Sequence, residues 1–208
     1  MADVERHEFF PTCLYRFKHD FKENELNNVV KHIEDNSLSE QNGQVIKRTG
    51  SQTQNELHKI DTFANLTKTI INATKSILDE QGYIGEVEIT NMWGNILRPQ
   101  SQRAHAPHTH SNNFLSGVFY LKTSDDTSPI QFFDPRPQSD VLKPRKKEYN
   151  RLNSNIAQFQ SETGWGVVFP SWLQHWVPET KDERMSIAWN IIVRGEYGEP
   201  NALQNAYI

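Results

Sequence analysis

"HAPHTHSNNFLSGVFYL", residues 105–121, sets three histidines within six positions at the mouth of an apolar, strand-like run. On a strand, side chains alternate between faces, so residues two apart share one. His108 and His110 are therefore expected to point into a common interior while Thr109 faces out. His105, three back and beyond Pro107, is expected off that face. Two imidazoles do not make a catalytic metal site, which usually takes three protein ligands and leaves positions open. A third ligand has to come from elsewhere. Of the five other histidines, His7, His19, His32 and His58 lie in the N-terminal part, with His32 on the polar face of a helix. Only His175 lies in the strand-rich half, in "GWGVVFPSWLQHWVPETKDERMSIAWN" (164–190). Taken singly, these histidines fit solvated loop residues or packed core groups equally well.

Outward from that stretch, runs rich in Val, Ile, Phe and Trp at 84–97, 114–122, 130–133, 165–170 and 184–193 read as strands. Upstream the period changes. Leu26, Val29, Val30 and Ile33 in 21–36, then Phe63, Leu66, Ile70, Ala73 and Ile77 in 61–82, mark two amphipathic helices, the second stopped by Gly82. A short strand is expected at 12–17, and 37–58 has no periodicity. Two helices followed by many strands predict an α+β fold, with helices against one face of an antiparallel sheet or sandwich. The boundaries expected are a single domain over 1–208, with a helical part to residue 82, a strand-built core over 83–194 and a tail over 195–208. The polar segment 138–162 reads as a long loop with partial structure, of the kind that is functional or mobile.

Composition narrows the function classes. With 22 basic and 26 acidic residues the chain has no general nucleic-acid footprint. Its one basic cluster, "KPRKKEYNR" (143–151), reads as a solvated loop. A lone cysteine, Cys13, excludes an internal disulfide and fits a reducing compartment. No signal core and no membrane-length apolar run is present, so a cytoplasmic protein is expected.

Arg184 opens the last core strand, where Ile187, Trp189, Ile191 and Val193 alternate. An arginine two positions from Ser186, both on the inner face, is costly to bury without an anion. A guanidinium pairs bidentately with a carboxylate. The plainer alternative is a structural ion pair at a strand start, since Arg184 follows Lys181-Asp182-Glu183.

The combination "PHTH…LSGVFYL…FFDPRP…VVFPSWLQHWV…ERMSIAWN" resembles the 2-oxoglutarate- and Fe(II)-dependent oxygenases, in particular a small group met in phage and bacterial genomes. The resemblance spans roughly residues 83–194. It implies a double-stranded β-helix, or distorted jelly roll, flanked by N-terminal helices. It also implies Fe(II) held by His108, His110 and His175, and 2-oxoglutarate held by Arg184 with Ser186 and Tyr120. O2 would be the other co-substrate. The reaction implied is hydroxylation of a prime substrate with release of succinate and CO2, in the host cytoplasm if the gene is a phage's. The prime substrate is not indicated; no nucleic acid and no membrane partner is implied, and a homodimer stays open. One departure is that the family's acidic ligand is replaced by His110, which leaves three neutral imidazoles. Asp134 is the nearby acid that could substitute, although a residue before Pro135 reads first as a turn. Asn95 and Arg136 are candidates for the substrate side, each also readable as a surface or turn residue. Trp93, Trp165, Trp172, Trp176 and Trp189 read mostly as core. Two rivals remain. A zinc hydrolase would leave Arg184 unexplained, and a cupin-like jelly roll would bind metal or a small acid without turnover.

Overall fold

Alternation along residues 184–194 builds the middle of the molecule. Met185, Ile187, Trp189 and Ile191 turn to one side, into a cluster with Val29, Ile33, Leu66 and Ile70 of the helices. Arg184, Ser186 and Ala188 turn to the other and line a cavity. The computed structural model describes residues 3–37, 39–41, 44–46, 51–99 and 104–208. In chain order the elements are β1 (Tyr15–Lys18), α1 (Glu23–Asn36), β2 (Ser39–Gln41), β3 (Gln44–Ile46), β4 (Ser51–Gln52), α2 (Ala64–Gln81), β5 (Glu86–Leu97), β6 (His105–His108), β7 (Leu115–Lys122), β8 (Ile130–Phe133), β9 (Ile156–Phe159), β10 (Trp165–Pro170), β11 (His175–Val177), β12 (Arg184–Arg194), β13 (Glu196–Tyr197) and β14 (Ala206–Tyr207).

One sheet runs β1-β10-β7-β12-β5-β4 and a second β6-β11-β8-β9. Every pairing within these two sheets is antiparallel. Between the sheets Val118, Tyr120, Ile130, Phe132, Val167 and Phe169 make a second apolar cluster. This is the distorted jelly roll, an α+β arrangement with both helices against the outer face of the larger sheet. Each helix presents an apolar stripe at the spacing the sequence shows, and a side chain as fully buried as Ile33 or Ile70 contributes roughly 1.5–3 kcal/mol. Helix α2 ends where expected. Gly82 takes the left-handed conformation (φ 75°), and the Tyr83 N–H closes the last turn onto the Leu78 carbonyl at 2.9 Å. Gly117 is required for another reason: a β-carbon there would collide with the Trp189 indole, which lies directly across the β7–β12 ladder.

Some details differ from the sequence reading. The first turn before α2 is a 3-10 turn over Asp61–Phe63. Three short strands, β6, β9 and β11, fall where no run of apolar residues marks them. The 138–162 segment does carry the partial structure expected of it, as the edge strand β9 from residue 156. Residues 195–208 include a small hairpin, β13–β14. Of the unassigned 37–58 segment, residues 38, 42–43 and 47–50 lie outside the described residues.

Candidate metal and co-substrate site

The three expected ligands come from two neighbouring strands and a turn. His175 on β11 lies directly across from His108 on β6. His110 lies just beyond β6, where its N–H donates to the Ser171 carbonyl at 2.9 Å. One nitrogen from each ring falls within 4.8 Å of the others. Two of the rings are oriented by the backbone. Nδ1 of His108 is 2.6 Å from the Ala106 carbonyl, and Nδ1 of His175 is 2.9 Å from the Leu173 carbonyl. A carbonyl can only accept, so each Nδ1 carries the proton and each Nε2 is left bare toward the common centre. Nε2 of His110 faces Nε2 of His175 at 3.3 Å. The His175 nitrogen is bare, so at that spacing a proton on His110 or a cation between the two rings joins them. The donor set therefore fits a first-row metal such as iron.

His105 is not where alternation puts it. Between the pairs His108–His175 and Val177–His105 the register shifts, so Ala106 and Pro107 together oppose Trp176. That is a β-bulge; both residues are exposed, and β6 is an edge strand where Pro107 leaves no ladder bond unmade. The extra residue turns His105 back to the inner face, where it lines the same cavity as the triad, Arg184 and Ser186. Asn95, which also reads as a surface residue, is likewise buried in that wall, opposite Ser186 on the β5–β12 ladder. A proline inside a histidine motif is the signal that could have flagged the bulge.

Arg184 is 1% exposed, which removes the structural surface ion pair as its explanation. Its neighbour Glu183 is taken by Arg98 and Lys122. Among the described residues no carboxylate meets the guanidinium. Nε donates to Ser161 Oγ at 3.2 Å, Nη1 donates to Ser186 Oγ at 3.0 Å, and the Tyr120 ring lies 4.9 Å away. Nη2 of Arg184 and the Tyr120 hydroxyl are buried with no protein partner. Both are donors, and an anion in the cavity would satisfy Nη2. Tyr120 itself is not among the residues that form the cavity wall. Ser161 was invisible in sequence because nothing marks which loop serine reaches a distant strand.

The other expectations divide. Asp134 is a turn residue held bidentately by Arg136 and takes no part in the triad. That pairing holds its carboxyl down to about 2. Arg136 is exposed. Trp189 is core, but Trp172 is 58% exposed, against expectation, on the turn whose Ser171 holds His110. Trp93 lines the cavity with its ring 6.1 Å from that of His110.

Residues 91–190 match the family model described as "Putative 2OG-Fe(II) oxygenase". The match spans His108, His110, His175, Arg184 and Ser186. That segment is the one of a 2-oxoglutarate- and Fe(II)-dependent oxygenase. No curated relative matches the sequence. Among solved structures, this oxygenase is similar to the α-ketoglutarate-dependent epimerase SnoN of nogalamycin biosynthesis (9% identity, TM-score 0.62, 92% of this chain and 83% of that one). It is also similar to a Pseudomonas putida prolyl-4-hydroxylase (13%, 0.60, 88% and 94%). A third is a viral collagen prolyl hydroxylase from Paramecium bursaria Chlorella virus-1 (10%, 0.51, 86% and 96%). At these identities the likeness is one of fold. The oxygenase assignment disposes of the hydrolase reading, and with it the cofactors are Fe(II) and 2-oxoglutarate and the second co-substrate is O2.

Acid should destabilise the metal-free oxygenase. Burial, above all, pushes His105, His110 and His175 down from 6.5 to about 4, with neighbouring positive charge adding to it. The unfolded chain then binds more protons than the folded one between those values, so stability is full above pH 6.5 and declines as pH falls toward 4. Melting temperatures of chelator-treated protein across this window should fall steadily. A flat profile would mean these rings are solvated.

Proposed function

We propose that His108, His110 and His175 hold the iron and that Arg184 holds the far carboxylate of 2-oxoglutarate, helped by Ser186 and Tyr120. The observation behind this reading is a single cavity with bare imidazole nitrogens at one part of its wall and an unpaired, buried guanidinium at another. Bound iron supplies the O2 activation that turns 2-oxoglutarate into succinate and CO2 and oxidises a C–H bond of the prime substrate.

The chain's own residues bind, orient and exclude water. The Ala106 and Leu173 carbonyls keep the His108 and His175 rings in the tautomer a metal needs. Three neutral ligands leave the metal's charge undiminished, which strengthens its pull on an anionic co-substrate. Arg184 fixes the opposite end, so a dicarboxylate is held by both termini and its keto acid is presented in one orientation. Trp93, Val118 and Phe169 line the cavity and keep it apolar between these poles. A cytoplasmic site of action fits the single Cys13. No helix among the described residues is long and apolar enough to cross a membrane.

His105 belongs to the co-substrate end in this reading. It lies across from Val177, farther along β11 than the triad, and the positive charge of Arg184 acts on it. Kept neutral by burial, its ring can donate one N–H to the carboxylate that Arg184 binds. His105→Ala should weaken 2-oxoglutarate binding by roughly tenfold, the worth of one hydrogen bond to a charged group, and leave metal affinity unchanged. His105→Gln should recover most of the loss. Loss of metal binding in His105→Ala would make it a ligand instead.

The direct assay is succinate formation by iron-loaded protein supplied with 2-oxoglutarate and O2, screened for stimulation by added substrates. No succinate from protein that does bind both would favour a silent jelly roll.

A further inference from the structure

A segment whose neck lies beside the metal site carries a concentration of positive charge. Strand β8 ends at Phe133, whose N–H donates to the carbonyl of Gln174, the residue before His175. The Phe132 ring lies 5.9 Å from that of His175. One residue on, the Asp134 N–H donates to the Asn155 carbonyl at 2.8 Å, which closes the neck of an excursion over residues 135–154. Near its far part, Lys143, Arg145, Lys146, Lys147 and Arg151 stand with one acid, Glu148, all of them exposed. Residues 143–151 contribute +4 to a chain whose net charge is −4, so the remainder carries −8. Arg145 and Lys147 have no acidic partner among the described residues, and Arg151 has only the exposed Glu8 at 3.5 Å. Such a cluster repels itself, and an anion would relieve it.

Two features choose between anionic polymers. The excursion runs straight into β9, the outer edge of its sheet, where Ile156, Ala157 and Gln158 are exposed and no described strand pairs with the far side. An open edge offers main-chain hydrogen bonds to an extended peptide and nothing equivalent to a nucleic acid. The −8 on the rest of the chain also opposes a long phosphate backbone, which carries charge well beyond a nine-residue footprint.

We propose that residues 143–151 and the edge of β9 form the docking surface for an acidic, extended segment of a protein substrate, which places one of its side chains at the metal site. This rests on the oxygenase site assigned above and names the class of its prime substrate.

The test uses full-length metal-loaded protein and fluorescence anisotropy with four short probes. They are an acidic peptide rich in Glu and Val, its Gln-for-Glu analogue, the acidic peptide built from D-amino acids, and a single-stranded DNA of equal charge. The acidic L-peptide should bind roughly tenfold tighter than the neutral analogue and weaken as salt rises. The D-peptide and the DNA should both bind more weakly than the L-peptide. The double variant Arg145→Gln, Lys147→Gln should lose roughly fivefold or more in affinity for the acidic L-peptide, with metal and 2-oxoglutarate affinities unchanged. Equal binding of acidic and neutral peptides overturns the proposal. Binding of the D-peptide equal to that of the L-peptide also overturns it, since charge alone would then explain the contact. DNA binding as tight as the acidic peptide, and lost in the same variant, points to a nucleic-acid surface instead. Arg184→Ala should weaken 2-oxoglutarate binding and leave peptide docking intact, so failure of the docking surface and failure of the co-substrate site give different results.

Discussion

Arg184→Ala should lose at least about thirtyfold in affinity for 2-oxoglutarate while binding metal as the parent does. The guanidinium is 1% exposed, has a free Nη2 and faces a cavity rather than a carboxylate. Removing one member of a desolvated, hydrogen-bonded charge pair costs about 2–5 kcal/mol, because the other charge is left without its partner. Arg184→Lys should restore little. A lysine can reach the carboxylate only as a point charge, and it abandons the donors that now fix Ser161 and Ser186. Calorimetric titration of 2-oxoglutarate into the metal-loaded variants decides between this role and a structural one. A purely structural arginine would lower the melting temperature and leave the affinity unchanged.

His175→Ala should cost more still, and in metal rather than co-substrate. His175 supplies one of three nitrogens and is 4% exposed, so its loss leaves the cluster two donors. Disturbing even the outer partners of metal ligands costs roughly 10–100-fold in affinity, and losing a ligand should exceed that. His108→Ala and His110→Ala should behave alike, whereas Asp134→Ala should not, since that carboxylate is occupied by Arg136. Competition against a coloured chelator measures all four. Retention of tight metal binding in His110→Ala, with its loss in Asp134→Ala, would return the site to two histidines and a carboxylate.

The parts of this site legible in sequence are those governed by regular geometry. Arg184 and Ser186 share a face because β12 is unbroken from one to the other, and strict alternation carries the inference. His108 and His175 were legible as partners because the strand-rich half offers one distal histidine, although their direct pairing was not. His110 comes within reach of His108 and His175 despite lying beyond the strand, through a turn held by Ser171 and not through alternation. What alternation could not supply was its own interruption. The bulge at Ala106–Pro107 reverses the face of His105, and no apolar pattern announces it. Asn95 carries two readings in sequence, substrate side or surface, because a polar side chain on a long strand can face either a functional cavity or the solvent; it faces the cavity. Trp172 was misjudged as core. The strands β6, β9 and β11 are three or four residues long and carry too few apolar residues for periodicity to mark.

The central claim is that one cavity binds Fe(II) through three imidazoles and 2-oxoglutarate across the metal and Arg184. Anaerobic titration of 2-oxoglutarate into the Fe(II)-loaded protein tests it most directly, by the visible charge-transfer band that forms when a keto acid chelates ferrous iron. The band should appear with saturable dependence on 2-oxoglutarate, be absent in His175→Ala, and require much higher 2-oxoglutarate in Arg184→Ala. A parent protein that binds Fe(II) and gives no such band, or a band indifferent to Arg184, would contradict the account.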